Sequence, residues 1–118
     1  KVNISQDMKV TEGHLIMESK EYYVHKDTWI QSEANNIYIE DSASGAGSMI
    51  TESPVYWRSS GDMTFEVPMK VLGSGTLTFQ ADSDEDNLGT LSFDSTASIT
   101  VYDTAVQELT FTGADLIL

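Results

Sequence analysis

Apolar and polar residues alternate with a period of two in short runs along most of this chain. In 36–40, Ile37 and Ile39 fall on one face of a strand and Tyr38 on the other. Met63, Phe65 and Val67 alternate with Thr64 and Glu66, and Leu77, Phe79 and Ala81 alternate with Thr78 and Gln80. The pattern returns as Leu91 and Phe93 around Ser92, as Ala97, Ile99 and Val101 around Ser98 and Thr100, and as Leu109 and Phe111 around Thr110. Successive side chains of a strand point to opposite faces, so each run predicts a strand with one buried and one wet face. No window sustains apolar residues at the i, i+3, i+4, i+7 spacing of an amphipathic helix. The expected fold class is all-β.

Turn residues separate the runs at 44–47, 59–62, 73–75, 86–89 and 112–113. None of these breaks is long enough to divide the chain, so residues 1–118 are read as a single β domain. The stretch 41–48, small, polar and glycine-containing, is the expected flexible loop.

Weak internal repetition suggests how the strands are arranged. Gly75-Thr76-Leu77-Thr78-Phe79 returns as Gly89-Thr90-Leu91-Ser92-Phe93, with looser echoes at 13–17, 61–65 and 107–111. A short strand with one apolar face cannot bury it alone. Coiling the chain so that like strands lie about 4.8 Å above one another buries that face and satisfies the backbone sideways. The preferred architecture is therefore a parallel β-helix (β-solenoid), with about five coils if each takes roughly 20–26 residues. A β-sandwich or jelly roll is the alternative.

Residues 75–84 and 89–93 resemble the repeats of large bacterial surface proteins of the filamentous-haemagglutinin kind. Those repeats run Leu-x-Leu-x-Ala-Asp-x-Asp, an acidic or Gly-rich turn, then Gly-x-Leu. The tail 109–118 is similar to the close of such a repeat, while residues 1–74 match in style only and carry more aromatics and charge. The resemblance implies a right-handed parallel β-helix and a role in adhesion or in extension from a cell surface.

Charge narrows the classes of partner. The chain holds 19 acids against 6 Lys and Arg, a net charge of −13. Residues 71–118 contain no Lys or Arg at all. Such a surface repels a phosphate backbone, so nucleic acid is not an expected partner. No apolar run approaches the roughly 20 residues of a membrane helix. Cysteine is absent, which removes thiol catalysis, disulfides and Cys-ligated zinc.

Two candidate sites follow from residue type and spacing. Asp82, Asp84 and Asp86 alternate, and carboxylates so spaced can converge on calcium, a hard cation that takes oxygen ligands. They do not form an EF-hand, because Asn87 stands at the glycine position and Phe93 at the position of the bidentate Glu. Trp29, Tyr56 and Trp57 are candidates for stacking on carbohydrate. Neighbours on a strand face opposite ways, so Tyr22–Tyr23 and Tyr56–Trp57 should each expose one ring. His14 and His25 show neither triad nor zinc spacing, and no catalytic residue is assigned.

The chain opens at Lys1 without a signal-like stretch, and 116–118 is an apolar strand with no charged or Pro residue behind it. Both features predict a segment of a longer or polymerising protein, associating through strand edges with further copies or adjoining segments. The expected function is a non-enzymatic structural or adhesive element, extracellular or on the cell surface, without a cofactor unless calcium. A carbohydrate-binding β-sandwich is the second reading. A virus-particle decoration protein also fits the composition.

Overall fold

The computed structural model describes residues 1–94, 97–101 and 106–117, and among them there is no helix. Leu118, part of the apolar tail considered above, lies outside the described residues. The first strands are β1 (Val2–Ile4), β2 (Met8–Val10) and β3 (Leu15–Ser19). β4 (Glu21–Val24), β5 (Thr28–Ser32) and β6 (Ile37–Asp41) follow. Next come the long β7 (Ser48–Ser59) and the short β8 (Met63–Phe65), then the long β9 (Met69–Gln80) and β10 (Thr90–Phe93). The last three are β11 (Ile99–Val101), β12 (Val106–Thr112) and β13 (Asp115–Ile117).

Every strand pairing among the described residues is parallel. β3, β6, β8, β10 and β13 form one sheet, and the remaining eight strands form the other. The antiparallel hairpins on which a β-sandwich or jelly roll is built do not occur among these pairs. Strands pair in the order in which they occur: β4, β5 and β6 lie against β1, β2 and β3. β7 then covers both β4 and β5, and β9 covers the whole of β7.

β7 and β9 serve two directions because each bends. Their register shifts between Ser53 and Val55, opposite Gly73. Proline donates no ladder hydrogen bond and is tolerated at such a bulge, where Pro54 sits. Gly73 and Gly75 take φ of 87° and 98°, a region open to glycine. Residues 73–75, expected as a turn between strands, are thus a bend inside one strand. The loop expected at 41–48 is capped from its own first residue. The Asp41 carboxylate accepts the N–H groups of Ala43, Gly45 and Gly47 at 2.8, 2.8 and 3.0 Å. These bonds hold its pKa below the ordinary aspartate value.

Parallel register places equivalent side chains above one another in columns. One inward column reads Leu15, Ile37, Met63, Leu91, Leu116, and another reads Met8, Ile30, Trp57, Phe79, Phe111. The rings order themselves accordingly. Phe65 stacks on Phe93 and Phe79 on Phe111 along their columns, while Phe65 meets Phe79 and Trp57 edge to face between columns. Both geometries suit the ring quadrupole.

The sequence echoes divide between two of these columns. Leu15, Met63 and Leu91, each two residues after a glycine, share one, whereas Leu77 and Leu109 share another. The best-matched pair, 75–79 and 89–93, is therefore not a stacked pair. Leu77 lies beside Val55 and Leu109, and Leu91 beside Met63 and Leu116.

Tyr22 is buried, with its hydroxyl 2.5 Å from the Glu40 carbonyl oxygen and 3.0 Å from that of Met17. Burial pushes its pKa up to about 12, and the charges of Asp41 and Glu40 push the same way. A pKa raised on folding stabilises fully below the unfolded value near 10 and loses that contribution as pH climbs through about 12. In an alkaline absorbance titration Tyr22 should ionise together with loss of the near-ultraviolet dichroism. Tyr22→Phe should remove that linkage.

Candidate functional site

The connection from β9 to β10 spans 81–89 and gathers the three aspartates singled out above. One carboxylate oxygen from each of Asp82, Asp84 and Asp86 lies within 4.8 Å of the other two. The loop achieves this by local capping. Asp82 Oδ1 accepts the Asp86 N–H at 3.0 Å, Asp82 Oδ2 accepts that of Asn87 at 3.2 Å, and Asp86 Oδ1 accepts that of Leu88 at 2.8 Å. Asp82, Glu85 and Asn87 take positive φ, a conformation that Asp and Asn tolerate best among non-glycine residues. Desolvation, followed by hydrogen bonding with Asp86, raises the Asp82 pKa above the ordinary aspartate value.

Gly89 anchors the end of this loop. A Cβ there would sit 2.7 Å from the Asp82 nitrogen and 2.8 Å from the Gly61 oxygen. The anchored loop overhangs a polar cleft of about 480 Å³ whose lining includes Asn35, Asp62, Asp84, Asp86, Asn87 and Asp115. The residues contributed by the neighbouring turns were not legible as a group. Register brings them together at one corner of the fold, where side chains climb from strand to strand. Asn36 N–H donates to His14 Nδ1 (3.4 Å), Asp62 N–H to Asn36 Oδ1 (2.7 Å), and Thr90 N–H to Asp62 Oδ1 (2.9 Å). Aligning the echoes on their apolar residue, so that 14, 36, 62 and 90 coincide, is the signal that could have found this corner.

Such a donor set, made of carboxylates and amide oxygens, suits a hard divalent cation in chemical type. Calcium at ten times its dissociation constant should raise stability by about 1.4 kcal/mol, roughly 5 °C in melting temperature. Chelator should reverse the shift, and Asp84→Asn should reduce it. Acid should weaken the effect, because a proton on Asp82 competes with the cation. An unchanged melt in calcium and in chelator would remove the site.

The aromatic candidates separate. Trp57 is fully buried and T-stacked on Phe65, so it offers no ring to a ligand. Its strand alternates with Met49, Val55 and Trp57 pointing inward, which sends Tyr56 outward. Trp29 is 39% exposed and stacks on Tyr56 with centroids 4.3 Å apart and planes 17° from parallel. Since the two residues are register partners on adjacent strands, each ring covers one face of the other. Of the pairs Tyr22–Tyr23 and Tyr56–Trp57, each expected to expose one ring, Tyr22 and Trp57 are buried and their neighbours Tyr23 and Tyr56 are half-buried rather than fully exposed.

Neither histidine lines the cleft. His14 packs beside Tyr38, and His25 Nδ1 lies 3.6 Å from Glu52 Oε1. Comparison with protein-family models, with curated proteins and with solved structures finds no match. Nothing in those comparisons links the chain to adhesin repeats.

Proposed function

We propose that this chain is a right-handed parallel β-helix that serves as a non-catalytic structural or adhesive element of an extracellular or cell-surface protein. The order of the pairings carries the reading: successive groups of strands lie on their predecessors in the same sequence and the same parallel sense. Right-handed coiling is the hand that strand twist favours for parallel crossovers. The surface role is supported by the resemblance of residues 75–118 to adhesin repeats and by an exterior rich in acids. The absence of an enzymatic role is an inference from chemistry. The clustered carboxylates bind their own loop's N–H groups, and neither histidine faces them with a nucleophile.

Paired cysteines test the coil, and the chain supplies none of its own to interfere. Thr64 and Ser92 hydroxyls lie 3.3 Å apart, and Gln31 and Arg58 are register partners elsewhere in the fold. Both T64C/S92C and Q31C/R58C should close within one chain, because adjacent strands fall in the distance range of a disulfide. Failure of both would sink the coil reading. The carbohydrate reading draws on the exposure of Trp29 and is opposed by its stack with Tyr56, which occupies one face of the ring. Titration with oligosaccharides should leave tryptophan fluorescence unchanged. A saturable change lost in Trp29→Ala would establish the sugar-binding role instead.

A further inference from the structure

The geometry points to a binding site for a small zwitterion of the α-amino acid type in a second cleft, where the ends of β5, β7 and β9 lie over one another. Such a site is additional to the structural role proposed above. Three stacked turns build it. Ser60 N–H donates to the Ser32 carbonyl at 3.0 Å, and Ser83 N–H donates to that of Ser59 at 2.9 Å. The space they border is about 240 Å³. Clefts that take drug-sized ligands hold roughly 300–1,000 Å³, so the occupant here is smaller.

Ser32 is the most buried residue of the lining, 1% exposed, and its hydroxyl oxygen has no hydrogen-bond partner. Buried polar groups are seldom left unpaired, because each such group has lost its water without replacement. Thr51, Ser53 and Trp57 also carry unpaired buried atoms, but none of them lines this cleft. A polar occupant would give the Ser32 hydroxyl the partner it lacks.

Charge is divided around that hydroxyl. Gln31 and Arg58, outward register partners on β5 and β7, precede the inward Ser32 and Ser59. Arg58 is the one arginine of the sequence, and among the described residues no ion pair or side-chain hydrogen bond engages its guanidinium. Glu33 and Asp84 supply carboxylates from the turns that follow β5 and β9. Glu33 is paired with Lys9 at 3.0 Å. Arg58 and Asp84 do not bridge each other, and they are the charges left for a ligand.

These groups select among ligand classes. The guanidinium fork takes a planar carboxylate bidentately, and serine hydroxyls add further donors. A free anion, however, meets Asp84 and the field of a chain with net charge −13. A bare cation meets Arg58. A molecule that carries both charges and no net charge suits both sides. An α-amino acid places its carboxylate and ammonium on one carbon and is small enough to enter.

L-Serine is a suitable probe, added to isotope-labelled protein in the presence of chelator so that Asp84 holds no metal. So small a ligand should bind weakly, with a dissociation constant of about 1–10 mM. Saturable amide shifts should appear in nuclear magnetic resonance spectra at Glu33, Ser60 and Ser83. Acetate, ethylamine and glycerol, which bring the anion, the cation or the hydroxyls alone, should give no saturation over the same range. Arg58→Gln should weaken serine binding about tenfold, the loss of a charge-assisted contact. Ser32→Ala makes the sharper distinction. Removing an unpaired buried hydroxyl should leave the melting temperature level or raised, while serine binds about threefold more weakly. No saturable shift with serine, acetate or glycerol equal to serine, or unchanged binding in Arg58→Gln would overturn the proposal. A lowered melt or unchanged binding in Ser32→Ala would do the same.

Discussion

Phe65→Ala should cost about 3–5 kcal/mol, which lowers the melting temperature by roughly 12–20 °C in a chain of this size. Phe65 is fully buried and lies within 5.0–5.2 Å, centroid to centroid, of Trp57, Phe79 and Phe93. Its removal takes away the transfer energy of the ring and leaves a void between stacked neighbours whose backbones are fixed by register. Collapse into that void would pull strands out of line. Trp29→Ala makes the contrast, since Trp29 is partly exposed and its stack with Tyr56 is worth about 1 kcal/mol. Thermal melts of both variants check the ordering, and a Phe65→Ala melt no lower than that of Trp29→Ala would contradict the column packing.

Gly73→Ala is the second large effect, at about 2–3 kcal/mol, against about 1–2 kcal/mol for Gly75→Ala. Both glycines adopt positive φ, so both variants suffer the left-handed penalty. They differ in their surroundings. A Cβ on Gly73 would lie 2.7 Å from the Ser53 carbonyl oxygen, a backbone atom that cannot swing aside. On Gly75 it meets the Pro54 ring at an ordinary 3.6 Å. The gap between the two variants in a denaturant titration isolates the clash from the dihedral strain. Equal losses would show that β7 and β9 can separate at the bend without cost.

The strands that sequence pattern predicts well are those whose inward residues are all apolar, such as Met63 and Phe65 or Leu91 and Phe93. β7 escapes the pattern because Thr51, Ser53 and Ser59 are buried alongside Met49, Val55 and Trp57. Its inward face therefore reads as half polar. Of β9 only the half with Leu77 and Phe79 is predicted, because the bend at Gly73 and Gly75 carries the residue types of a chain reversal. The aspartate cluster was legible because its members are separated by one residue each, and a turn keeps such neighbours close. The cleft beside it was not, because Asn35, Asp62 and Asp115 reach it only through strand register. The burial of Trp57 follows from strand parity, which adjacency with Tyr56 leaves undecided until Val55 is known to point inward.

Stacked partners are not evenly spaced along the chain: Val2 and Tyr22 are 20 residues apart, whereas Leu77 and Leu109 are 32 apart. The extra length is absorbed in connections that leave the ladder alignment untouched, and closing a longer loop costs only a fraction of a kcal/mol, about 0.6 per doubling. The architecture thus separates what must be conserved in length from what is free to grow. A foreign peptide grafted at 11–13, exposed between β2 and β3 and away from the Asp41 and Asp82 caps, would be displayed outside a frame that hardly registers the insertion, making such a turn a natural point for diversification or for engineered cargo.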